Sequence, residues 1–152
     1  MKIVILIGGL GAFVTGIAIA LQSYLSGRAG SIVGPIKTGL WTNFLGGALA
    51  GLIILIFWVL GKRTGNPLTR KAVEMILISG ALGIVIIMGI SYSINLAGVT
   101  AGVAAVFLGQ MVLSTIADTS GWGGVDPIPL DLRRIVGLIV MVFAVFLLLP
   151  KK

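Results

Sequence analysis

The sequence predicts an all-α integral membrane protein, and three observations carry that expectation. The chain is 58% hydrophobic and only 10% charged over 152 residues, where soluble domains carry roughly 25% charged residues. The apolar residues fall in long runs, several near the 20 or so residues a helix needs to cross about 30 Å of hydrocarbon. The charges gather at the ends of those runs, in short connections, so the organisation is one transmembrane domain over 1–152 with no soluble module.

Five spans are expected. The first covers 3–22, the second 39–60 and the third 73–96. The fourth, 99–117, is separated from the third only by a short turn bearing asparagine and glycine (NLAG), suited to a helical hairpin. The fifth, 132–149, has an apolar body of 15 residues from Ile135, about 22 Å long, so Arg133 and Arg134 must snorkel or the bilayer must thin. Between the second and third spans, GKRTGNPLTRKA sets Gly-Asn-Pro turn chemistry among four cations, as at a phospholipid headgroup surface. The loop TSGWGGVDPIPLDL places Trp122 as an interfacial anchor.

The net charge of +7 is thus explained by membrane-flanking cations, and a nucleic-acid surface is not expected. Five spans put Lys2, Lys62, Arg63, Arg70, Lys71, Arg133 and Arg134 on one side and Arg28, Lys37, Lys151 and Lys152 on the other. Cytoplasmic loops are the richer in Lys and Arg, so the N-terminus is expected to be cytoplasmic. Lys2, an apolar run and Ala18-Ile19-Ala20 imitate a signal peptide, but the run exceeds the usual 7 to 15 residues and the first span is expected to be retained.

With no cysteine and no histidine, disulfides, thiol or imidazole catalysis, and zinc or haem sites built on those ligands are excluded. No metal and no cofactor is expected. An intramembrane enzyme would have only Ser, Tyr, Lys and carboxylates to draw on, and enzymatic activity is not expected.

Small residues recur at four-residue spacing, which places Gly8, Ala12, Gly16 and Ala20 on one stripe of span one. Gly39, Asn43, Gly47 and Gly51 form the stripe of span two, Ala101, Ala105 and Gly109 that of span four, and Ser79, Gly80, Gly83 and Gly89 serve less regularly in span three. Such stripes let helices approach closely, so spans one to four are expected to pack tightly and span five to be peripheral.

No span carries a charge at its centre. Glu74 opens span three and Asp118 closes span four, each near an interface, as entrance or coupling candidates. Uncharged polar groups lie deeper: Gln22 at the end of span one, Trp41 and Asn43 in span two, Ser91, Tyr92, Ser93 and Asn95 in span three, and Gln110, Ser114 and Thr115 in span four. Gln110, Ser114 and Asp118 are spaced i, i+4, i+8 and form one polar stripe on a helix. That stripe is either an interhelical hydrogen-bonding set or the lining of a substrate path.

The segments LQSYLSGRAG, LWTNFLGGALAG and above all LGQMVLSTIADTSGWGG followed by PLDLRRIVGLIVM resemble the YdcZ-type five-helix family of the drug/metabolite transporter superfamily. The resemblance extends over almost the whole chain. It implies half of an inverted-repeat (5+5) fold, paired with a second five-helix subunit in opposite orientation, either an identical chain or a paralogue. It further implies a bacterial-type inner membrane and transport of small organic solutes or hydrophobic cations by alternating access. Trp41, Asn43, Tyr92 and Gln110, with Ser93, Asn95 and Ser114, are then expected to bind the small-molecule substrate. The four-helix multidrug-resistance proteins carry a glutamate within their first helix, and span one here has no acid. The competing expectation is a non-transporting membrane interaction or assembly subunit, in which these polar groups only join helices.

Overall fold

The computed structural model describes residues 2–62, 65–124 and 126–150, with side chains from residue 6 onward. Arg63, Lys151 and Lys152, which enter the charge tally, lie outside the described residues, as does the side chain of Lys2. The described residues form α1 (Lys2–Val33), α2 (Pro35–Val59), α3 (Arg70–Ala97), α4 (Val99–Thr119), one 3₁₀ turn (Trp122–Gly124) and α5 (Leu132–Leu148). Four of these helices are long and apolar enough to cross a membrane. α5, at 17 residues, is about 25 Å long, short for a span.

Contacts divide the chain within α3 into two units, Met1–Tyr92 and Ser93–Lys152. In the first unit α1 packs on α2. α1 does not stop at Gln22 but continues to Val33. The polar stretch that looked like a connection is a packed helix, because its polar residues share one side: Ser23, Ser26, Gly27 and Gly30 are all buried. Spacing of three to four residues aligns them on one face, where small hydroxyl and glycine side chains admit a close neighbour.

Only Gly34 separates α1 from α2. Its φ of 88° and ψ of 152° lie in a region essentially reserved for glycine. Its N–H donates to the Gly30 carbonyl at 3.0 Å, closing α1, and its own carbonyl accepts the Thr38 N–H at 3.1 Å, opening α2. The Thr38 hydroxyl donates to the same carbonyl at 2.9 Å. Pro35 then occupies the first turn, where its missing N–H costs nothing.

α2 meets α3 at Gly39, where a side chain would run into the Met88 side chain, the Ile84 carbonyl and the Met88 backbone nitrogen. Four residues on, Asn43 lies over Gly83. Here, at the first two members of the stripe Gly39, Asn43, Gly47 and Gly51, glycine permits close approach. A Cβ at Gly8, Gly16, Gly47 or Gly51 would meet nothing within 4 Å, and Ala12 and Ala20 are likewise exposed.

The second unit repeats the one-residue joint. Gly98, with φ 80° and ψ 169°, donates to Ile94 at 2.9 Å and accepts from Gly102 at 3.0 Å. Ala101 and Gly102 are buried beside it, and a Cβ on Gly102 would press on Ile94 and the Ser93 hydroxyl. α5 packs on α4, so it is less peripheral than its lack of small residues suggested. Its half-buried residues Arg134, Leu138, Met141 and Val145 fall at the three- and four-residue steps of a helix–helix seam.

Candidate functional site

Trp41 and Asn43 come together on α2. They line an open groove of about 600 Å³ with Leu40, Phe44 and Ile84. The rings of Trp41 and Phe44 meet edge to face, centroids 5.7 Å apart, an arrangement favoured by the ring quadrupole. Trp41 nevertheless keeps 58% of its surface exposed, so its indole face is available to a ligand.

Asn43 is the polar member of that groove. Its Nδ2 donates to the Gly39 carbonyl at 2.9 Å, turning the carboxamide back along its own helix and its Oδ1 toward Gly83. The same residue borders a second groove of about 510 Å³ with Met75, Ile76, Ser79, Gly80 and Gly83. Asn43 therefore stands between two openings, with one amide hydrogen committed and the other hydrogen-bonding capacity available for a neighbour. A third groove, between α1 and α2, of about 410 Å³, includes Gln22, Ser26 and Thr42.

Tyr92 is exposed on α3 and is not among the residues lining the Trp41 groove. Ser93 is half-buried against Gly102, and Asn95 is exposed nearby on the same helix. On α4, Gln110 and Ser114 are both exposed, while Thr115 turns back to donate to the Met111 carbonyl at 2.8 Å. α4 therefore presents Gln110 and Ser114 outward and satisfies its threonine internally.

The two entrance candidates, Asp118 and Glu74, are both ion-paired. Asp118 Oδ2 pairs with Arg134 Nη1 at 3.3 Å, and its backbone carbonyl accepts the Ile128 N–H at 3.0 Å. Asp131 caps α5 by accepting the Arg134 N–H at 2.9 Å. The ends of α4 and α5 are thus clasped around Arg134, with Ile128 drawn onto the end of α4. Glu74 pairs with Arg70 one turn away at 3.0 Å, an exposed helix pair of small energetic weight.

Of the buried hydroxyls, Ser91 is one of the polar groups the sequence places deep in span three, whereas Ser23, Ser26 and Thr38 are not singled out. Ser23, Ser26, Thr38 and Ser91 are all among the most buried side chains. The signal that could have found them is S-x-x-S-G-x-x-G at 23–30, a helical face of small groups in a stretch whose polarity otherwise reads as a loop.

Long apolar helices, an overwhelmingly apolar exposed surface and a few polar side chains distributed along the spans define a multi-pass helical membrane protein. More particularly, the chain belongs to the family described as "Putative inner membrane exporter, YdcZ", whose model matches residues 7–147. That membership supports a transporter-type role in an inner membrane rather than an enzymatic one. No curated protein and no solved structure matches the chain.

Proposed function

We propose that this chain is one half of a transporter: a five-helix subunit that pairs with a second in opposite orientation and moves small organic solutes or hydrophobic cations by alternating access. The observation that carries the reading is the exposure of Gln110 near the middle of α4. A carboxamide facing acyl chains has no hydrogen-bond partner, so it is expected to face a second subunit or a water-filled path. Inverted repeats place their substrate at the midplane between halves. Trp41 beside Phe44 offers an aromatic face worth about 0.5–2 kcal/mol to an organic cation. Asn43, Gln110 and Ser114 supply uncharged polar contacts, with Tyr92, Ser93 and Asn95 as further lining. Asp118 and Glu74, each ion-paired near a helix end, are entrance groups in this scheme.

The test is counterflow in liposomes containing the purified protein, using a panel of aromatic cations and neutral solutes. At least one should be exchanged, and Trp41→Ala and Gln110→Ala should slow that exchange about tenfold or more. Failure across the panel by folded, paired protein would overturn the reading. A second reading has its own support: the bond from Asn43 to the Gly39 carbonyl, with the side chain over Gly83, suits a group that only joins helices. A non-transporting assembly subunit would lose pairing or stability, and no transport, on substitution of Asn43.

A further inference from the structure

We propose that the groove between α1 and α2 is a binding site for an uncharged amphiphile, a molecule with a hydroxyl or amide head on an apolar body. The site lies apart from the Trp41 groove and does not depend on the transport reading above. Three observations converge on it.

The first is how the groove is built. Ala18, Leu21, Leu25 and Ala29 form its apolar wall on α1, with Gln22 and Ser26 among them. At about 100° per residue these six share one arc of roughly 140°. Thr42 closes the groove from α2, on the far side of that helix from the Leu40, Asn43 and Phe44 that line the Trp41 groove. Ala18, Leu21, Gln22 and Leu25 are exposed, and Ala29 and Thr42 are half-buried, so about 410 Å³ stands open above Ser26.

The second is unmet hydrogen bonding. Ser26 keeps only 4% of its surface exposed, yet its hydroxyl bonds to no described residue, and neither does the Thr42 hydroxyl or the Gln22 carboxamide. Threonines elsewhere satisfy themselves: Thr15, Thr38, Thr115 and Thr119 each donate to the carbonyl four residues back. Thr42 does not. Polar groups that are buried or set in a membrane are normally paired. Three unpaired ones around a single groove point to a ligand that pairs them.

The third is depth and charge. Gln22 lies about 9 Å along α1 from Arg28, and Thr42 about 8 Å along α2 from Lys37. Both cations are exposed, and with them at the headgroup level the groove opens into hydrocarbon. No charged residue lines it, so an ammonium or carboxylate head would give up its hydration there without a counter-charge. A hydroxyl or an amide both donates and accepts, as the Gln22, Ser26 and Thr42 side chains do. Its apolar body would lie against Ala18, Leu21 and Leu25.

The probe is a diazirine-bearing octanol, photolysed with the full chain in detergent, and the labelled positions are read by fragmenting the intact protein in a mass spectrometer. Labelling should saturate, concentrate within 18–29 and around Thr42, and be competed by octanol and octanamide. Octylammonium and octanoate, of the same chain length, should compete about tenfold or more weakly. Gln22→Leu and Thr42→Val each delete one polar group while keeping the side chain's bulk, and each should raise the half-saturating concentration about 2- to 10-fold. Labelling that never saturates and spreads along every helix would mark a lipid-facing surface only. Equal competition by all four heads, or no change in either variant, would mark an apolar groove without a polar site. Labelling that vanishes when a second subunit binds would make the groove a seam between chains. Each of these results overturns the proposal and leaves counterflow through the Trp41 groove to be judged by its own test.

Discussion

Replacing Gly39 by alanine tests the contact between α2 and α3 in the N-terminal unit. An ideal Cβ at this position would stand 2.9 Å from the Ile84 carbonyl oxygen and 3.2 Å from the Met88 backbone nitrogen, besides striking the Met88 side chain. A thioether can swing away, but two backbone atoms of α3 cannot move without displacing that helix. Overpacking of this kind costs about 1–3 kcal/mol. Against it stands the helix propensity that alanine gains over glycine, about 1 kcal/mol. Gly47→Ala, on the same helix with nothing within 4 Å of its Cβ, collects that gain without the clash. The difference between the two variants removes the propensity contribution and should leave Gly39→Ala less stable by about 1–3 kcal/mol. Reversible unfolding in mixed detergent, followed by loss of helical circular dichroism, measures it. Equal stability of the two variants would refute the assignment of the α2–α3 contact to Gly39.

Other outcomes follow from the same geometry. Gly34→Ala and Gly98→Ala should each cost about 1–3 kcal/mol in the same unfolding assay, because φ values of 88° and 80° at ψ near 160° are strained for any residue with a Cβ. Gly83→Ala would place its methyl 2.9 Å from the Asn43 Oδ1. That side chain can rotate aside at the expense of its bond to Gly39, so stability should fall by no more than about 1 kcal/mol. Counterflow should fall as far as in Asn43→Ala, and an unaffected rate would remove Asn43 from the transport path. At the α4–α5 clasp, Asp131→Ala deletes a helix cap and should cost about 1 kcal/mol. Asp118→Asn weakens a half-exposed ion pair and should cost at most about 1 kcal/mol, declining in high salt; a larger loss than that of Asp131→Ala in paired unfolding measurements would reverse this ranking.

Hydropathy made the helical membrane class plain, because the solvent a helix faces is written into every residue of its surface. Boundaries were harder where polarity had two meanings. At 23–30 the serine and glycine residues imitate a headgroup loop, yet Ser23, Ser26, Gly27 and Gly30 form the buried side of α1, since small polar groups pack as well as alanine. By contrast, the break between the third and fourth spans was legible from NLAG, where Gly98, in a glycine-only conformation, ends α3 and opens α4.

The small-residue stripes expose the limit of spacing arguments. Periodicity says that Gly8, Gly16, Gly47 and Gly51 share faces with their neighbours, but not whether another helix of the same chain lies opposite. Gly39, on the same expected stripe as Gly47 and Gly51, does have such a neighbour, as do Gly83 and Gly102, and spacing alone does not tell the contacting glycines from the open ones. The polar stripe on α4 is read differently once its surroundings are known. Asp118 belongs to the clasp around Arg134 and its backbone anchors the following loop, whereas Gln110 stands exposed at the helix midpoint. One spacing rule thus joined two residues with separate roles. For Gln110 the deciding quantity is distance from both helix ends, because that distance sets a carboxamide where hydrocarbon offers it no hydrogen-bond partner.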